Sequence, residues 1–186
     1  MGQLTFITGG ARSGKSRYGE DRAKAAGGQV TYIATAIPFD EGMRDRIKHH
    51  RESRPAEWPT IEQYRDFENL SENPDFISAD VILLDCLTVL TTNLMMDYDV
   101  DYDTVPIEKV WEIEKEILRQ ITVVLDVCKA YDKETIIVAN EVGLGLVPAY
   151  KMGSYFRDIA GRVNQMVAAR ADEVYFTVSG IPMKIK

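Results

Sequence analysis

The chain has 186 residues, with 22 Lys and Arg against 29 Asp and Glu, and a formal net charge of −7. That length suffices for one well-buried domain, and no Ser/Gly/Pro-rich linker divides it, so a single domain spanning residues 1–186 is expected. The acidic balance argues against a general nucleic-acid binder, which needs clustered Lys and Arg, and leaves small molecules as the expected partners. Cys86 and Cys128 make no disulfide framework, the N-terminus begins as a strand where a signal peptide would be basic and then apolar, and no apolar run approaches a membrane span. A cytoplasmic, reduced protein with no integral membrane segment is expected.

Residues 4–8 form the first strand pattern and feed into Gly9, Gly10, Ala11, Arg12, Ser13, Gly14, Lys15 and Ser16. This is a full match to G-x-x-x-x-G-K-[ST] between a strand and a helix-compatible stretch at 16–26, the context a phosphate-binding P-loop requires. The glycines let the backbone curl so that successive N–H groups meet phosphate oxygens; Lys15 would reach the β/γ-phosphates and Ser16 Oγ would ligate Mg²⁺ at a helix start. A Gly-rich turn without a ligand is the competing reading. A second strand pattern covers residues 30–35.

His49 and His50, the only two histidines, follow next, among Arg44, Arg46, Lys48, Arg51 and Arg54. On a helix these neighbours point about 100° apart; His50 shares the apolar side of Met43 and Ile47, and His49 falls nearer the polar face. A neutral imidazole is a competent nucleophile toward phosphorus, and nearby cations offset charge developing on phosphates. Two solvated histidines on a basic helix are equally compatible with the residues alone. Metal ligation is disfavoured, because adjacent histidines diverge and no Cys or carboxylate stands at ligand spacing.

Residues 81–85 are an apolar strand ending in Asp85, the form of a Walker-B element, which can hold Mg²⁺ through its hydration shell opposite Ser16. Such an Asp can also simply cap the next helix. Asp97, Asp99, Asp101, Asp103 and Glu108 imitate the oxygen spacing of an EF-hand loop, but Tyr102 stands where the turn needs Gly and Pro106 intrudes, so a solvated acidic loop is expected. A long helix is predicted over 106–130, with Val110, Ile113, Ile117, Ile121, Val124 and Leu125 on one face; this stripe is core or subunit interface. A strand at 135–140 leads into Asn140-Glu141-Val142-Gly143-Leu144-Gly145, either a ligand-facing loop or an ordinary strand-to-helix connection. A second long helix at 152–171 carries Tyr155, Ile159, Val163 and Met166 at helical spacing. A strand at 174–178 follows, then Ser179-Gly180-Ile181-Pro182 and a return of 183–186 as a short antiparallel edge strand, a position that suits Pro182. Strands alternating with helices imply right-handed βαβ crossovers, a three-layer α/β fold with a mainly parallel central sheet, and ligands at the strands' C-terminal ends.

Several of these segments together resemble the bifunctional adenosylcobinamide kinase/adenosylcobinamide-phosphate guanylyltransferases of cobalamin assembly. The matching stretches are TGGARSGKSRYGE, YIAT, RIKHHRESRPAEW, LLDCLT, NEVGLGLVP, FRDIAGRVNQ and VSGIPMKIK, spread over nearly the whole chain. The P-loop alone is generic; the His pair followed by Arg-Pro, the NEVG segment and the DIAGRVNQ segment are specific. The resemblance implies a RecA-like P-loop fold, a homotrimer with active sites between subunits, and two reactions on one substrate. ATP or GTP would phosphorylate the aminopropanol hydroxyl of adenosylcobinamide; GTP would then lose pyrophosphate as its GMP passes through a histidine to that phosphate. The second histidine of the pair, here His50, is the implied GMP carrier. Guanine-nucleotide contacts map onto the P-loop, Ala34, Thr35 and Ala36, Arg51, Glu52, Ser53 and Arg54, Glu62 and Asp85. Asp85 departs from the family's frequent Glu and has a shorter reach. The Ras-type motif N-K-x-D is absent, which makes Glu62 the candidate acceptor for the guanine ring donors. Two other readings stand beside this one: a P-loop kinase for another small hydroxyl substrate, and a nucleotide-dependent regulatory switch.

Overall fold

The computed structural model describes residues 2–37, 41, 51 and 54–186. The first half runs β1 (Leu4–Gly9), α1 (Lys15–Ala26), β2 (Val30–Ala34), β3 (Thr60–Glu62), a 3-10 turn (Phe67–Glu72), α2 (Pro74–Ser78) and β4 (Val81–Asp85). Then come α3 (Leu87–Met96), α4 (Ile107–Ala130), β5 (Glu134–Asn140), α5 (Lys151–Arg170), β6 (Glu173–Val178) and β7 (Ile181–Lys184).

The strands form one seven-stranded sheet in the order β3-β2-β4-β5-β1-β6-β7. Every neighbouring pair is parallel except β6 with β7. The central strands are β-branched runs buried on both faces, as a parallel sheet covered by helices requires. One face carries Ile7, Tyr32, Leu83, Ile136 and Val138, packed with Ala23 of α1. The other buries Phe6, Ile33, Ile82, Leu84 and Ile137 with the inner faces of α3, α4 and α5. The predicted α4 stripe is core along its whole length, with Val110, Ile113, Ile117, Ile121, Val124 and Leu125 all buried. In α5, Ile159 and Val163 are buried, while Tyr155 and Met166 pack partly covered against the same core.

Strand β5 lies between β1 and β4, so the P-loop strand and the Asp85 strand are separated by one additional strand. This is the RecA-like order. From β1 the chain moves toward β2 through α1, and from β5 it crosses to β6 on the far side of β1 through α5. The open crevice therefore falls at the C-terminal end of β1, where such sheets take ligands.

The C-terminal edge differs from the sequence reading. The edge strand covers Ile181–Lys184, two residues earlier than expected, because Ser179 (φ 51°) and Gly180 (φ 82°) make a two-residue turn that starts the return at once. Pro182 does sit on this outermost strand, opposite Thr177, where a missing N–H is tolerated. The acidic segment closes on itself: Asp101 accepts from the Asp103 N–H and the Thr104 hydroxyl, and Tyr102 is buried with its hydroxyl donating to Met95 O at 2.8 Å.

Candidate nucleotide site

The P-loop leaves β1 at Gly9 and enters α1 at Lys15. A Cβ on Gly9 would stand 2.5 Å from Thr177 O and 2.7 Å from Ser13 Oγ, so only glycine fits between the loop and β6. Gly14 adopts φ 93° at the α1 N-cap, a left-handed conformation that favours glycine. No side chain caps this helix start, which leaves the first-turn N–H groups and the positive end of the helix dipole for an anion. Lys15 is buried, with Nζ folded back to donate to Gly10 O at 3.1 Å, while Ser13 N donates to the same carbonyl at 3.2 Å. The buried hydroxyls of Thr8, Ser13 and Thr177 find no hydrogen-bond partner among the described residues. Such groups are costly unless a ligand or water satisfies them, and all three surround the loop.

The remaining candidates fall at the C-terminal ends of neighbouring strands. Ala34 is in register with Glu62 on one side and Asp85 on the other, which aligns these three residues across β3, β2 and β4. Glu62 is exposed and Asp85 half-buried. Asp85 does not cap the next helix: Cys86 holds the N-cap position of α3, with no side-chain cap bond. Its alternative role as a helix cap is thereby removed. Arg54 lies over the Tyr32 ring, Cζ 3.6 Å from the centroid, so its guanidinium is carried by β2, two residues before the Ala34 that pairs with Asp85. Burial, and next the charge of Asp85, raise the Tyr32 hydroxyl well above its ordinary pKa. Arg51 is exposed and helical. His49, His50, Glu52 and Ser53 lie outside the described residues.

Thr35 is fully buried. Its hydroxyl donates to Cys86 O at 2.8 Å and accepts from Cys86 N at 3.0 Å, and Asn93 Nδ2 donates to Thr35 O at 2.6 Å. The Thr35 side chain is thus spent on tying the β2 end to the β4 end, and any nucleotide contact there falls to the backbone or to Ala34 and Ala36. Asn93, which completes this tie, carried no sequence signal, since it sits in an apolar helix with no polar face to set a period. Asn140 and Glu141 are brought to the same crevice: Glu141 N donates to Gly9 O at 2.9 Å, and Asn140 is held by Thr88 and Asn164. The loop beyond them exposes Leu144, Leu146, Val147 and Tyr150.

The donor set fits Mg²⁺ brought in by a nucleotide. Ser16 and Asp85 offer hard oxygens, and Mg²⁺ is usually held by one or two carboxylates plus substrate phosphates. Among the described residues no group of three or more His, Cys, Asp or Glu is gathered into an all-protein metal cage. A separate cleft of about 680 Å³, lined by Gln3, Lys129, Lys133, Arg170 and Asp172, lies at the strands' N-terminal ends, away from the P-loop. No described helix is long and apolar enough to cross a membrane.

A P-loop on the central strand, an uncapped helix start and a carboxylate one strand removed define a P-loop nucleotide-binding protein of RecA-like order. Residues 5–185 match the family model described as cobinamide kinase / cobinamide phosphate guanyltransferase, and the chain belongs to that family. It is 43% identical over 186 residues to the bifunctional adenosylcobalamin biosynthesis protein CobU of Escherichia coli, covering 98% of this chain and 99% of that one. The Salmonella typhimurium protein of the same name is 42% identical over the same shares, and the Pseudomonas aeruginosa protein CobP is 37% identical over 97% of this chain and 96% of its own. Among solved structures, a KaiC-like protein of Pyrococcus horikoshii superposes with a TM-score of 0.48 at 11% identity, over 94% of this chain and 70% of that one.

Proposed function

We propose that this chain is a cytoplasmic, homotrimeric enzyme with one catalytic domain that performs both reactions of its family on adenosylcobinamide. The observation that carries this reading is the uncapped, hydroxyl-lined P-loop set in line with Asp85, Ala34 and Glu62 along the strand ends.

In the kinase step, the aminopropanol oxygen bonds to the γ-phosphorus of ATP or GTP as the bond to the β-phosphate oxygen breaks, the nucleoside diphosphate leaves, and the hydroxyl proton passes to solvent. Backbone N–H groups of Gly9 to Ser16 and the Lys15 ammonium hold the phosphates and offset charge moving onto the leaving oxygen. In the second step, an imidazole nitrogen of His50 bonds to the α-phosphorus of GTP and pyrophosphate departs. The terminal phosphate of adenosylcobinamide phosphate then attacks the same phosphorus, the P–N bond breaks, and adenosylcobinamide-GDP forms with His50 restored. Ser16 and Asp85 are the residues that would hold Mg²⁺, which would supply charge neutralisation at the phosphates. The guanine-binding position lies toward Glu62, four inter-strand spacings or roughly 19 Å from β1 along the sheet. An extended nucleoside triphosphate laid over the strand ends would place its phosphates at the P-loop and its base on that side.

Incubation with adenosylcobinamide, Mg²⁺ and either ATP alone or ATP with GTP tests the proposal by product mass. ATP alone should yield the phosphate, and added GTP the GDP derivative. Phosphorylation of the corrinoid without any GDP derivative would leave the kinase reaction alone, and nucleotide binding without either product would favour a kinase for another hydroxyl substrate or a switch.

A further inference from the structure

The two flanks of α1 serve different ends. Tyr18 and Arg22 turn toward β6, where Tyr18 packs edge-on to Tyr175 and Arg22 pairs with Glu173 at 2.8 Å. The opposite stripe, Ser16, Glu20 and Lys24, is spaced at i, i+4 and i+8 and shares one face. The buried centre of α1 lies over β5 and β4, since a Cβ on Gly19 would meet Val138 Cγ2 at 3.1 Å and Leu83 Cδ1 at 3.3 Å, so the stripe on the flank away from β6 lies on the β4 and β2 side, where Lys24 Nζ stands 5.9 Å from the Trp58 ring centroid. Strand alternation puts Asp85 on the same side of the sheet as Leu83, two residues nearer the P-loop. Helical side chains lean toward their own N-terminus, so Glu20 leans toward Ser16 and up to the level of Asp85.

We infer that Glu20 is the second carboxylate of the metal–nucleotide site, holding the hydrated Mg²⁺ jointly with Asp85 across from Ser16. This rests on the reading of the P-loop as the productive nucleotide site. Glu20 is half-buried; burial raises its carboxyl pKa most, Asp85 raises it further, and Lys24 and Arg54 oppose the rise. Two carboxylates partly withdrawn from water near an uncapped helix start, with the unpartnered buried Ser13 hydroxyl in the adjoining loop, form a place where a nucleotide-borne dication relieves an unfavourable arrangement. Arg54, over the Tyr32 ring, is close enough for its charge to act on Glu20. Neither a P-loop motif nor an apolar strand ending in Asp singles out Glu20; its role emerges from the facing of α1.

The test is direct metal binding, with Mn²⁺ replacing Mg²⁺ and free Mn²⁺ read by electron paramagnetic resonance. The nucleotide is α,β-methylene-GTP, which cannot release pyrophosphate. Glu20→Gln should weaken nucleotide-dependent Mn²⁺ binding about tenfold, the lower end of what removing an outer metal partner costs, and leave the metal-free affinity for the analogue unchanged. Glu20→Asp should fall between the two and serves as the readout if the Gln variant does not fold. Mn²⁺ affinity unchanged in Glu20→Gln or Glu20→Asp, while Asp85→Asn weakens it, would overturn the assignment and leave the site reading intact. An equal loss of analogue affinity with and without metal would also overturn it, marking Glu20 as a support for Arg54. A wild-type protein with no nucleotide-dependent Mn²⁺ site would remove the underlying site reading instead.

Discussion

The Gly180 N–H donates to Ser13 O at 2.8 Å, so the β6–β7 turn holds the phosphate loop by its backbone across nearly the whole length of the chain. The contact is close on both sides: a Cβ on Gly14 would stand 3.1 Å from Gly180 Cα. Ser179 and Gly180, both at positive φ, form the tight two-residue turn that brings this N–H to the loop. The VSGIP segment thus positions the P-loop.

From this contact it follows that Gly180→Val weakens nucleotide binding more than it unfolds the protein. A β-branched residue at φ 82° costs about 1–2 kcal/mol, and relieving that strain changes the φ of the residue whose N–H holds Ser13 O. Affinity for GTP should drop by roughly tenfold, measured by calorimetry, with the circular-dichroism spectrum retained. Unchanged affinity would show that the turn does not position the loop.

Lys15→Ala should depress both half-reactions by about 10²–10³-fold, since both draw on the same triphosphate and lose the same pre-organised cation. Separate assays of corrinoid phosphorylation and of guanylyl transfer at saturating nucleotide measure this. Wild-type rates in both would place the productive phosphate site elsewhere.

Burial pushes the thiols of Cys86 and Cys128 up to about 12. At pH 8 roughly one thiol in 10⁴ is then ionised, and the thiolate is the reactive form. A disulfide-exchange reagent should modify neither cysteine in the native protein and both in denaturant. Fast native labelling of either would contradict the packing described around β4 and α4.

Glu173 accepts from Lys184 at 2.5 Å, Arg22 at 2.8 Å and the Tyr175 hydroxyl at 3.1 Å, and Lys184 leads in holding its carboxyl below the ordinary range. A carboxyl depressed by folding stabilises the folded state above its unfolded pKa, about 4.3 for Glu, and loses that contribution as pH falls through the lower folded value. Glu173→Gln should therefore lower the melting temperature at neutral pH and flatten its decline across the acid range. A variant with the wild-type profile would show that these contacts carry no net stability.

Most of the sheet was legible in the sequence because parallel strands buried on both faces read as continuous apolar runs, as at Ile82-Leu83-Leu84 and Ile136-Ile137-Val138. The long amphipathic α4 was legible for the matching reason, a sustained stripe at helical period. By contrast, the helix expected after Asp85 could be given no bounds: in α3, Leu87, Thr88, Leu90, Thr91, Asn93, Leu94 and Met95 are all buried, so it has no solvent-facing side to set a period. The three residues of β3 were too few to carry a pattern. In the site, the P-loop and Asp85 could be read from local motifs, whereas the Asn93–Thr35 tie and the Gly180–Ser13 contact join residues that only the topology brings together.

The central claim, that this chain transfers GMP through His50, is tested most directly by intact-protein mass spectrometry after incubation with GTP and Mg²⁺. The account predicts a GMP-sized adduct on the wild type and on His49→Ala, labile in acid and stable in base as a P–N bond requires. It predicts none on His50→Ala, which should keep measurable kinase activity. No adduct on the wild type, or an adduct that persists in His50→Ala and disappears in His49→Ala, would contradict it.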